Sequence, residues 1–328
     1  MKYKPLIIVM GEPYSIFLEI LFKTFKSSFI SKVKRPIILI GSAELLQKQM
    51  IFFKYKININ IIEIQDIPHI KDNKSLNVIN IKFKAKRIFT KDFLGSKKYI
   101  DKSFKVALSI MRKKLAIGIL NGPINKTTFL EKRFEGVTEY LVKQTKTRNY
   151  SMIIYNDKLS VSPITTHLPL KKVTKKITIN SIINKTLLIK KFYSKYLNKK
   201  PKFAILGLNP HCESNDSISE EEKIIKPAIK VLKNKNIKIQ GPFAADTFFL
   251  KDNYVKYDVV IGMYHDQVLT PIKTLFGFDA INITAGLPFI RVSPDHGPNE
   301  KMVSMGISNP LSLMKSINFF EGINDRKT

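Results

Sequence analysis

Three histidines occupy equivalent positions relative to strands predicted from apolar runs. Each comes just after the end of such a strand: His167 after 159–165, His211 after 203–208 and His265 after 257–262. The carboxyl ends of parallel strands form the binding crevice of an open α/β sheet. Three imidazoles that met there would bind a divalent metal and leave positions open for a substrate. Spacing alone does not show that they meet, so a structural role for each histidine stays open.

The densest set of chemically capable side chains lies in residues 264–297. Asp266, beside His265, is placed either to orient the imidazole as a carboxylate partner or to act as an acid at a helix N-terminus. Arg291 stands between apolar neighbours, where a bidentate clamp on a carboxylate or phosphate is a natural use. Lys273 is either a second cation for an anionic substrate or a solvated helix residue.

The remaining candidates are interpreted structurally. His69 and His296 are read as structural histidines, and Cys212, although it adjoins His211, as a small packed residue. Asn209-Pro210-His211 also has the composition of a tight turn.

Strands that alternate with amphipathic helices must position these groups. The predicted strands lie at 6–10, 36–40, 57–64, 115–120, 150–155, 280–283 and at the three runs that precede the histidines. The predicted helices lie at 14–25, 41–53, 99–114, 136–144, 176–196, 219–232 and 309–319, and residues 121–126 are interpreted as the cap of a further helix. Residues 66–96 show no clear period. This alternation predicts βαβ units and a mostly parallel sheet.

Length and composition predict a globular protein of two lobes. The chain has 328 residues, which is longer than a domain with one typical hydrophobic core. Its hydrophobic fraction of 44% is that of a globular protein. No apolar run approaches the roughly 20 residues that span a bilayer, and the run 6–10 is read as a strand and not a signal peptide. The single cysteine excludes an internal disulfide and fits a reducing cytoplasm.

The net charge of +30 raises the question of nucleic-acid binding. Of the 56 basic residues, seven are arginine and 49 lysine, and the lysines are scattered over the whole chain. No basic cluster with interleaved aromatic residues is found, as a nucleic-acid surface would require. We therefore interpret the charge as a compositional bias toward lysine, which would still attract anionic substrates.

Several segments, in the right order and over nearly the whole length, resemble the 4-hydroxythreonine-4-phosphate dehydrogenase family of vitamin B6 biosynthesis. They are Asn121-Gly122-Pro123-Ile124-Asn125-Lys126, Thr165-Thr166-His167-Leu168-Pro169-Leu170, Gly207-Leu208-Asn209-Pro210-His211, Ala245-Asp246-Thr247, Met263-Tyr264-His265-Asp266-Gln267, Asn282-Ile283-Thr284 and Gly286-Leu287-Pro288-Phe289-Ile290-Arg291. Together they are far more specific than any one of them.

The resemblance implies a three-layer α/β fold like that of isocitrate and isopropylmalate dehydrogenases, with two lobes and a cleft between them. Residues 1–130 plus 300–328 would form the first lobe, and 131–299 the second, with the metal and substrate residues and a homodimer interface. The implied reaction is NAD(P)-dependent oxidation of 4-phosphooxy-L-threonine to 2-amino-3-oxo-4-phosphooxybutanoate, which decarboxylates to 3-amino-2-oxopropyl phosphate. This fold binds NAD without a Gly-x-Gly-x-x-Gly turn, and the chain contains none.

Residue roles also follow from the resemblance. The family's metal ligands fall on His167, His211 and His265, shared across two subunits. Its substrate-binding residues fall on Thr138, Lys273, Asn282 and Arg291. Imidazole ligands favour Zn²⁺, with Co²⁺ or Mg²⁺ as the other candidates. Lys273 or Asp246 would accept the proton, and no residue is assigned to NAD or NADP.

The chain departs from the family pattern in three places. Val137 stands where the family has a substrate-contacting histidine, Gly11-Glu12-Pro13 replaces Gly-Asp-Pro, and the loop 213–219 lacks the usual glycines. Because an apolar side chain cannot donate to a phosphate or carboxylate, Val137 bears most on the identity of the substrate.

Three other functions stay open on the sequence. One is a dehydrogenase for another phosphorylated four-carbon hydroxy acid. The second is a metal-dependent hydrolase, because histidines and aspartates also suit activation of water. The third is a basic nucleic-acid binder, which salt-dependent binding would reveal.

Overall fold

A computed structural model gives the structure of the chain at residues 3–84, 88–89, 91–125, 129–130, 134, 136–212, 219–277 and 279–325. Lys126, predicted to take part in a helix cap, and residues 213–218 of the glycine-poor loop lie outside the described residues.

The described strands in chain order are β1 Leu6–Val9, β2 Ile37–Gly41, β3 Ile59–Ile61, β4 Leu76–Asn80, β5 Gly118–Asn121, β6 Ser151–Tyr155, β7 Ser160–Pro163, β8 Phe203–Leu206, β9 Ile239–Phe243, β10 Val259–Gly262, β11 Ile281–Ala285 and β12 Ile290–Pro294. The described α-helices are α1 Phe17–Lys26, α2 Ala43–Phe52, α3 Phe93–Arg112, α4 Val137–Gln144, α5 Ile179–Phe192, α6 Lys226–Asn234, α7 Ala245–Phe248, α8 Lys251–Tyr254, α9 His265–Phe276 and α10 Leu311–Glu321.

The chain divides into two units, Met1–Thr145 with Pro288–Thr328 and Lys146–Leu287. The sequence interpretation placed the boundaries at 130/131 and 299/300, so α4 and β12 fall in the first unit and not the second. Tyr140 of α4 explains part of the difference, because its ring is buried 5.5 Å from that of Phe104 and its hydroxyl donates to Asp101. In addition, β12 pairs with β5.

The sheet of the first unit is parallel throughout, in the order β3-β4-β2-β1-β5-β12. Its central strands β1 and β2 are buried at every residue. Such continuous apolar runs are typical of parallel strands that are covered on both faces. Helix α1 turns Phe17, Leu21 and Phe22 inward with no solvent exposure.

The sheet of the second unit has the order β11-β6-β7-β10-β8-β9. The four strands from β7 to β9 are parallel, and β6 pairs antiparallel with β7 and β11. The predicted pairing of β6 and β7 around Asn156 is confirmed, and the Asn156 side chain accepts from the amide of Lys158 in this turn. The predicted mostly parallel α/β fold is also confirmed.

Three strands escaped prediction, because their sequences carry weak local signals. β4 lies in the stretch 66–96, where asparagines interrupt the apolar run. β9 contains Gly241 and Pro242, which argue locally against a strand. β12 holds a buried arginine among its apolar residues.

Within the described residues, no helix has the length and apolar character needed to cross a membrane.

Candidate functional site

The three histidines follow three neighbouring strands of the second unit. β10 lies between β7 and β8 and is parallel to both, so the carboxyl ends of these strands lie at one edge of the sheet. His167 comes after β7, His211 after β8, and His265 after β10 as the first residue of α9. The predicted placement of each histidine just past a strand end is confirmed.

His167 and His265 are brought together. Their ring centroids lie 5.8 Å apart, with the ring planes inclined by 38°. The pairing of β7 and β10 continues beyond the strands, because the amide and hydroxyl of Thr165 both donate to the carbonyl of Met263, at 3.2 and 2.8 Å. These bonds join Thr165 and Met263, each of which lies two residues before a histidine, and so hold the two imidazoles near one another.

His265 lies in the first turn of α9 with a carboxylate beside its ring. Its Nδ1 is 2.6 Å from Oδ1 of Asp266. A carboxylate on one ring nitrogen orients an imidazole and directs the other nitrogen, Nε2, toward a ligand. Asp266 thus contacts the ring of His265 and also stands in the first turn of the helix, so its position fits both of the roles considered for it.

Gln267 ties the histidine-bearing turns to one another. Its Oε1 accepts from the amide of Met263 and its Nε2 donates to the carbonyl of Gly207, each at 2.7 Å. Gly262, at the end of β10, has no room for a side chain, because a Cβ there would come within 2.4 Å of Val268. The turn between β10 and α9 is thus closely packed against its own helix.

His211 stands in a loop with unusual backbone geometry. His211 and Cys212 both have φ of +56°, the left-handed region that costs non-glycine residues about 1–3 kcal/mol each. The His211 side chain is 72% exposed, and its Nε2 lies 3.5 Å from Oδ2 of Asp246, the second residue of α7. An imidazole and a carboxylate therefore face each other at the end of β8.

The carboxylate of Glu221 lies behind this loop and is fully buried. Burial acts to raise its pKa, but hydrogen bonds from Asn209 and from the amide of Leu208 outweigh burial and leave the pKa lowered. Glu221 is therefore ionised at neutral pH.

One chain supplies a histidine pair and a separate His211–Asp246 pair. In the part of the chain that the structure describes, no three or more His, Cys, Asp or Glu side chains are grouped closely enough to hold a metal ion. The donors nevertheless suit a divalent cation in type, since imidazole and carboxylate are the usual ligands of Zn²⁺.

Arg291 forms a buried cationic site in the first unit. Its side chain in β12 is 3% exposed, its Nε donates to Oδ1 of Asn121 at 2.7 Å, and its Nη1 donates to Oγ1 of Thr138 at 3.3 Å. Burial lowers the pKa of Arg291 to about 10, while the charge of Glu139 acts to raise it. The guanidinium is thus protonated at neutral pH and suited to bind an anion. Two predicted substrate-binding residues, Thr138 and Arg291, are in contact.

Val137 is the first residue of α4, next to Thr138. An apolar side chain at this helix N-terminus offers no hydrogen-bonding group, so Val137 supplies no polar contact beside Thr138.

The other two predicted substrate residues lie in the second unit. Asn282 is in β11, and its Oδ1 is buried without a hydrogen-bond partner among the described residues. Lys273 lies in α9, eight residues after His265, which corresponds to roughly 12 Å along the helix axis. Its side chain is exposed.

Sequence reasoning gave no role at the site to Asn121, Gln267 or Glu221. Asn121 and Gln267 stand inside segments that resemble the family, and membership of those segments was an available signal for both. Glu221 is one of three consecutive glutamates in a helical stretch, and nothing in that pattern shows which one turns inward.

Comparison with known proteins shows the same family over most of the chain. The family described as "Pyridoxal phosphate biosynthetic protein PdxA" matches residues 32–320. The 4-hydroxythreonine-4-phosphate dehydrogenase of Sulfurihydrogenibium sp. (strain YO3AOP1) is 36% identical, and the match covers 95% of this chain and 96% of that protein. The D-threonate 4-phosphate dehydrogenase of Pectobacterium atrosepticum is 37% identical over 61% of this chain and 62% of its own length.

The fold agrees with this assignment. The crystal structure of 4-hydroxythreonine-4-phosphate dehydrogenase from Klebsiella pneumoniae matches with a TM-score of 0.82 and 27% identity, over 97% of this chain and 98% of that one. Sequence and fold thus agree over nearly the whole length, and the chain belongs to the PdxA family of pyridoxal phosphate biosynthetic proteins.

Proposed function

We propose that the chain oxidises 4-hydroxythreonine 4-phosphate with NAD or NADP in pyridoxal phosphate biosynthesis, as a cytoplasmic homodimer. The product, 2-amino-3-oxo-4-phosphooxybutanoate, is a β-keto acid that decarboxylates to 3-amino-2-oxopropyl phosphate. The observation that carries the proposal is the 36% identity to a 4-hydroxythreonine-4-phosphate dehydrogenase over 95% of the chain. The geometry of the candidate residues supports it, as follows.

Arg291 and Thr138 serve the anionic groups of the substrate. The substrate carries a phosphate and a carboxylate, and a buried guanidinium fixed by Asn121 and Thr138 is a preorganised partner for either. Lys273 supplies a second positive charge, and the buried Oδ1 of Asn282 accepts from a substrate donor such as the amino group. The positive charges of Arg291 and Lys273 also favour an anionic substrate over a neutral one.

His167, His211 and His265 hold a divalent metal that is completed between two copies of the chain. The 5.8 Å spacing of His167 and His265, the carboxylate on Nδ1 of His265 and the exposed imidazole of His211 support this ligand set. Division of the set between two copies fits the finding that the described residues of one chain contain no group of three ligands. Three imidazoles favour Zn²⁺, and Co²⁺ is the closest substitute.

A metal held by these histidines would supply Lewis acidity toward the substrate hydroxyl, and a bound nicotinamide would supply the hydride acceptor. Oδ2 of Asp246, which faces Nε2 of His211, accepts the hydroxyl proton and passes it to solvent. Lys273 is the other candidate for proton acceptor, a role that would replace its role as a cation. Arg291 holds the substrate in place during both oxidation and loss of carbon dioxide.

Oxidation of D-threonate 4-phosphate is the second candidate activity. That substrate differs at C2, where a hydroxyl replaces the amino group. The 37% identity to a D-threonate 4-phosphate dehydrogenase over 61% of this chain favours this candidate. The reaction type and the anion-binding residues are the same for both substrates.

A substrate panel tests the proposal. The purified protein is incubated with Zn²⁺ or Co²⁺, with NAD or NADP, and with either 4-hydroxythreonine 4-phosphate or D-threonate 4-phosphate, and formation of the reduced nicotinamide is followed by absorbance. We expect the higher kcat/KM with 4-hydroxythreonine 4-phosphate. A preference for D-threonate 4-phosphate would establish the second candidate, and release of phosphate without a nicotinamide would show a hydrolase.

A further inference from the structure

Glu221 is a buried carboxylate that binds the loop carrying His211. It is fully buried and begins a short π-helical turn, Glu221–Ile225, that precedes α6. Its Oε1 accepts from the amides of Leu208 and Asn209 at 2.7 and 2.9 Å, and its Oε2 accepts from Nδ2 of Asn209 at 2.7 Å. The carboxylate thus binds three donors in the two residues that follow Gly207.

The loop needs such support because its backbone is strained. His211 and Cys212 are consecutive non-glycine residues in the left-handed region. The amide of Cys212 donates to the carbonyl of Asn209 at 3.2 Å, so the position of Asn209 determines where the two strained residues lie. Fixing Asn209 therefore fixes the backbone that carries the imidazole of His211.

Gly207, the residue before Leu208, is also held by hydrogen bonds. Gly207 donates its amide to Phe243 of β9 and accepts at its carbonyl from Gln267 of α9. A Cβ at Gly207 would come within 2.4 Å of Sγ of Cys212 and 3.0 Å of Oε1 of Glu221. The loop is therefore clamped at Gly207 by the sheet and at Leu208 and Asn209 by Glu221.

We infer that Glu221 is a positioning residue that holds His211 in its ligand geometry. A carboxylate suits this position because all three partners are donors, and an ionised carboxyl group accepts at both oxygens and presents no donor of its own. A glutamine in its place would turn an NH₂ group toward one donor and lose at least one of the three bonds. The inference rests on the metal role proposed for His211. Glu221 acts on His211 through Leu208 and Asn209, the residues that it contacts.

The test compares Glu221→Gln with Glu222→Gln in the full-length protein. Glu222 is the matched control, because it is the next residue along, is exposed, and pairs with Lys226 on the surface. Hydrogen–deuterium exchange is measured on peptides that contain residues 203–212. We expect exchange at Leu208 and Asn209 to rise about tenfold in Glu221→Gln, as follows from loss of a hydrogen bond, and to stay at the wild-type rate in Glu222→Gln.

The second measurement is titration with Co²⁺, by calorimetry and by the visible absorption of the bound ion, at a temperature at which all variants are folded. We expect Glu221→Gln to bind Co²⁺ about 10–100-fold more weakly than wild type, and Glu222→Gln to bind it equally well. Unchanged exchange, or faster exchange with unchanged Co²⁺ affinity, would overturn the inference. His211→Ala separates the two proposals: wild-type Co²⁺ affinity in that variant would remove the metal role of His211, and the inference would fall with it.

Discussion

Nε of Arg291 donates to Oδ1 of Asn121 across 2.7 Å, and both side chains are almost completely buried. β12 and β5, which carry these residues, are paired in parallel register. The bond fixes the plane of the guanidinium, and Nη1 is directed to Thr138 at the start of α4. A buried arginine whose guanidinium is held in one orientation is a preorganised anion-binding site.

Arg291→Lys is expected to lower kcat/KM for the phosphorylated substrate about 100-fold, which corresponds to roughly 3 kcal/mol. An ammonium group cannot donate to Asn121 and bind an anion bidentately at the same time. Steady-state kinetics measure the effect. Arg112→Lys at the exposed end of α3 is the control, and equal kcat/KM in both variants would contradict the role of Arg291.

Removal of the metal, or His211→Ala, is expected to abolish activity while the dimer persists. Loss of the Lewis acid removes several kcal/mol of stabilisation of the developing charge, a decrease of about 100-fold or more. Activity after dialysis against a chelator, and after return of Zn²⁺, Co²⁺ or Mg²⁺, measures the requirement. His69→Ala, at an exposed histidine of the first unit, is the control. Full activity in metal-free buffer would rule out the metal role.

Mixtures of inactive variants are expected to show how the ligands are divided between two copies. His167→Ala, His211→Ala and His265→Ala are combined in pairs under conditions that exchange subunits. When the two altered ligands come from different copies, each hybrid dimer keeps one intact site, so a random mixture recovers about one quarter of wild-type activity.

If two of the ligands come from one copy and the third from the other, as proposed, two of the three mixtures should recover activity. Recovery is measured against each variant alone, with hybrid formation checked by differently tagged chains. If no mixture recovers activity although hybrids form, the ligand set is not shared.

Val137→His is expected to lower KM for 4-hydroxythreonine 4-phosphate about tenfold, because it restores a polar side chain next to Thr138 at the N-terminus of α4. KM for D-threonate 4-phosphate, measured in parallel, shows whether the gain depends on the substituent at C2. Val142→His, on the same helix, controls for the change in helix composition. An unchanged KM for both substrates would mean that position 137 is not used.

The sequence by itself determined the α/β class and the placement of each histidine. The strands predicted at 159–165 and 257–262 contain short apolar stretches, and a histidine follows each within three residues; both features are local. The family followed from segments that keep their residues in order along the chain. The weak strands β4, β9 and β12 were missed because asparagine, glycine, proline or arginine disrupts the same local signal.

Only the tertiary structure decided which residues meet. The 5.8 Å spacing of His167 and His265 depends on pairing of β7 with β10, and the Arg291–Asn121 bond on pairing of β12 with β5. The inward turn of Glu221, and not of its neighbour Glu222, depends on the loop after β8. These contacts join residues that are distant in sequence, and the free energy that selects them comes from packing and hydrogen bonds between elements, which no local pattern of residues contains.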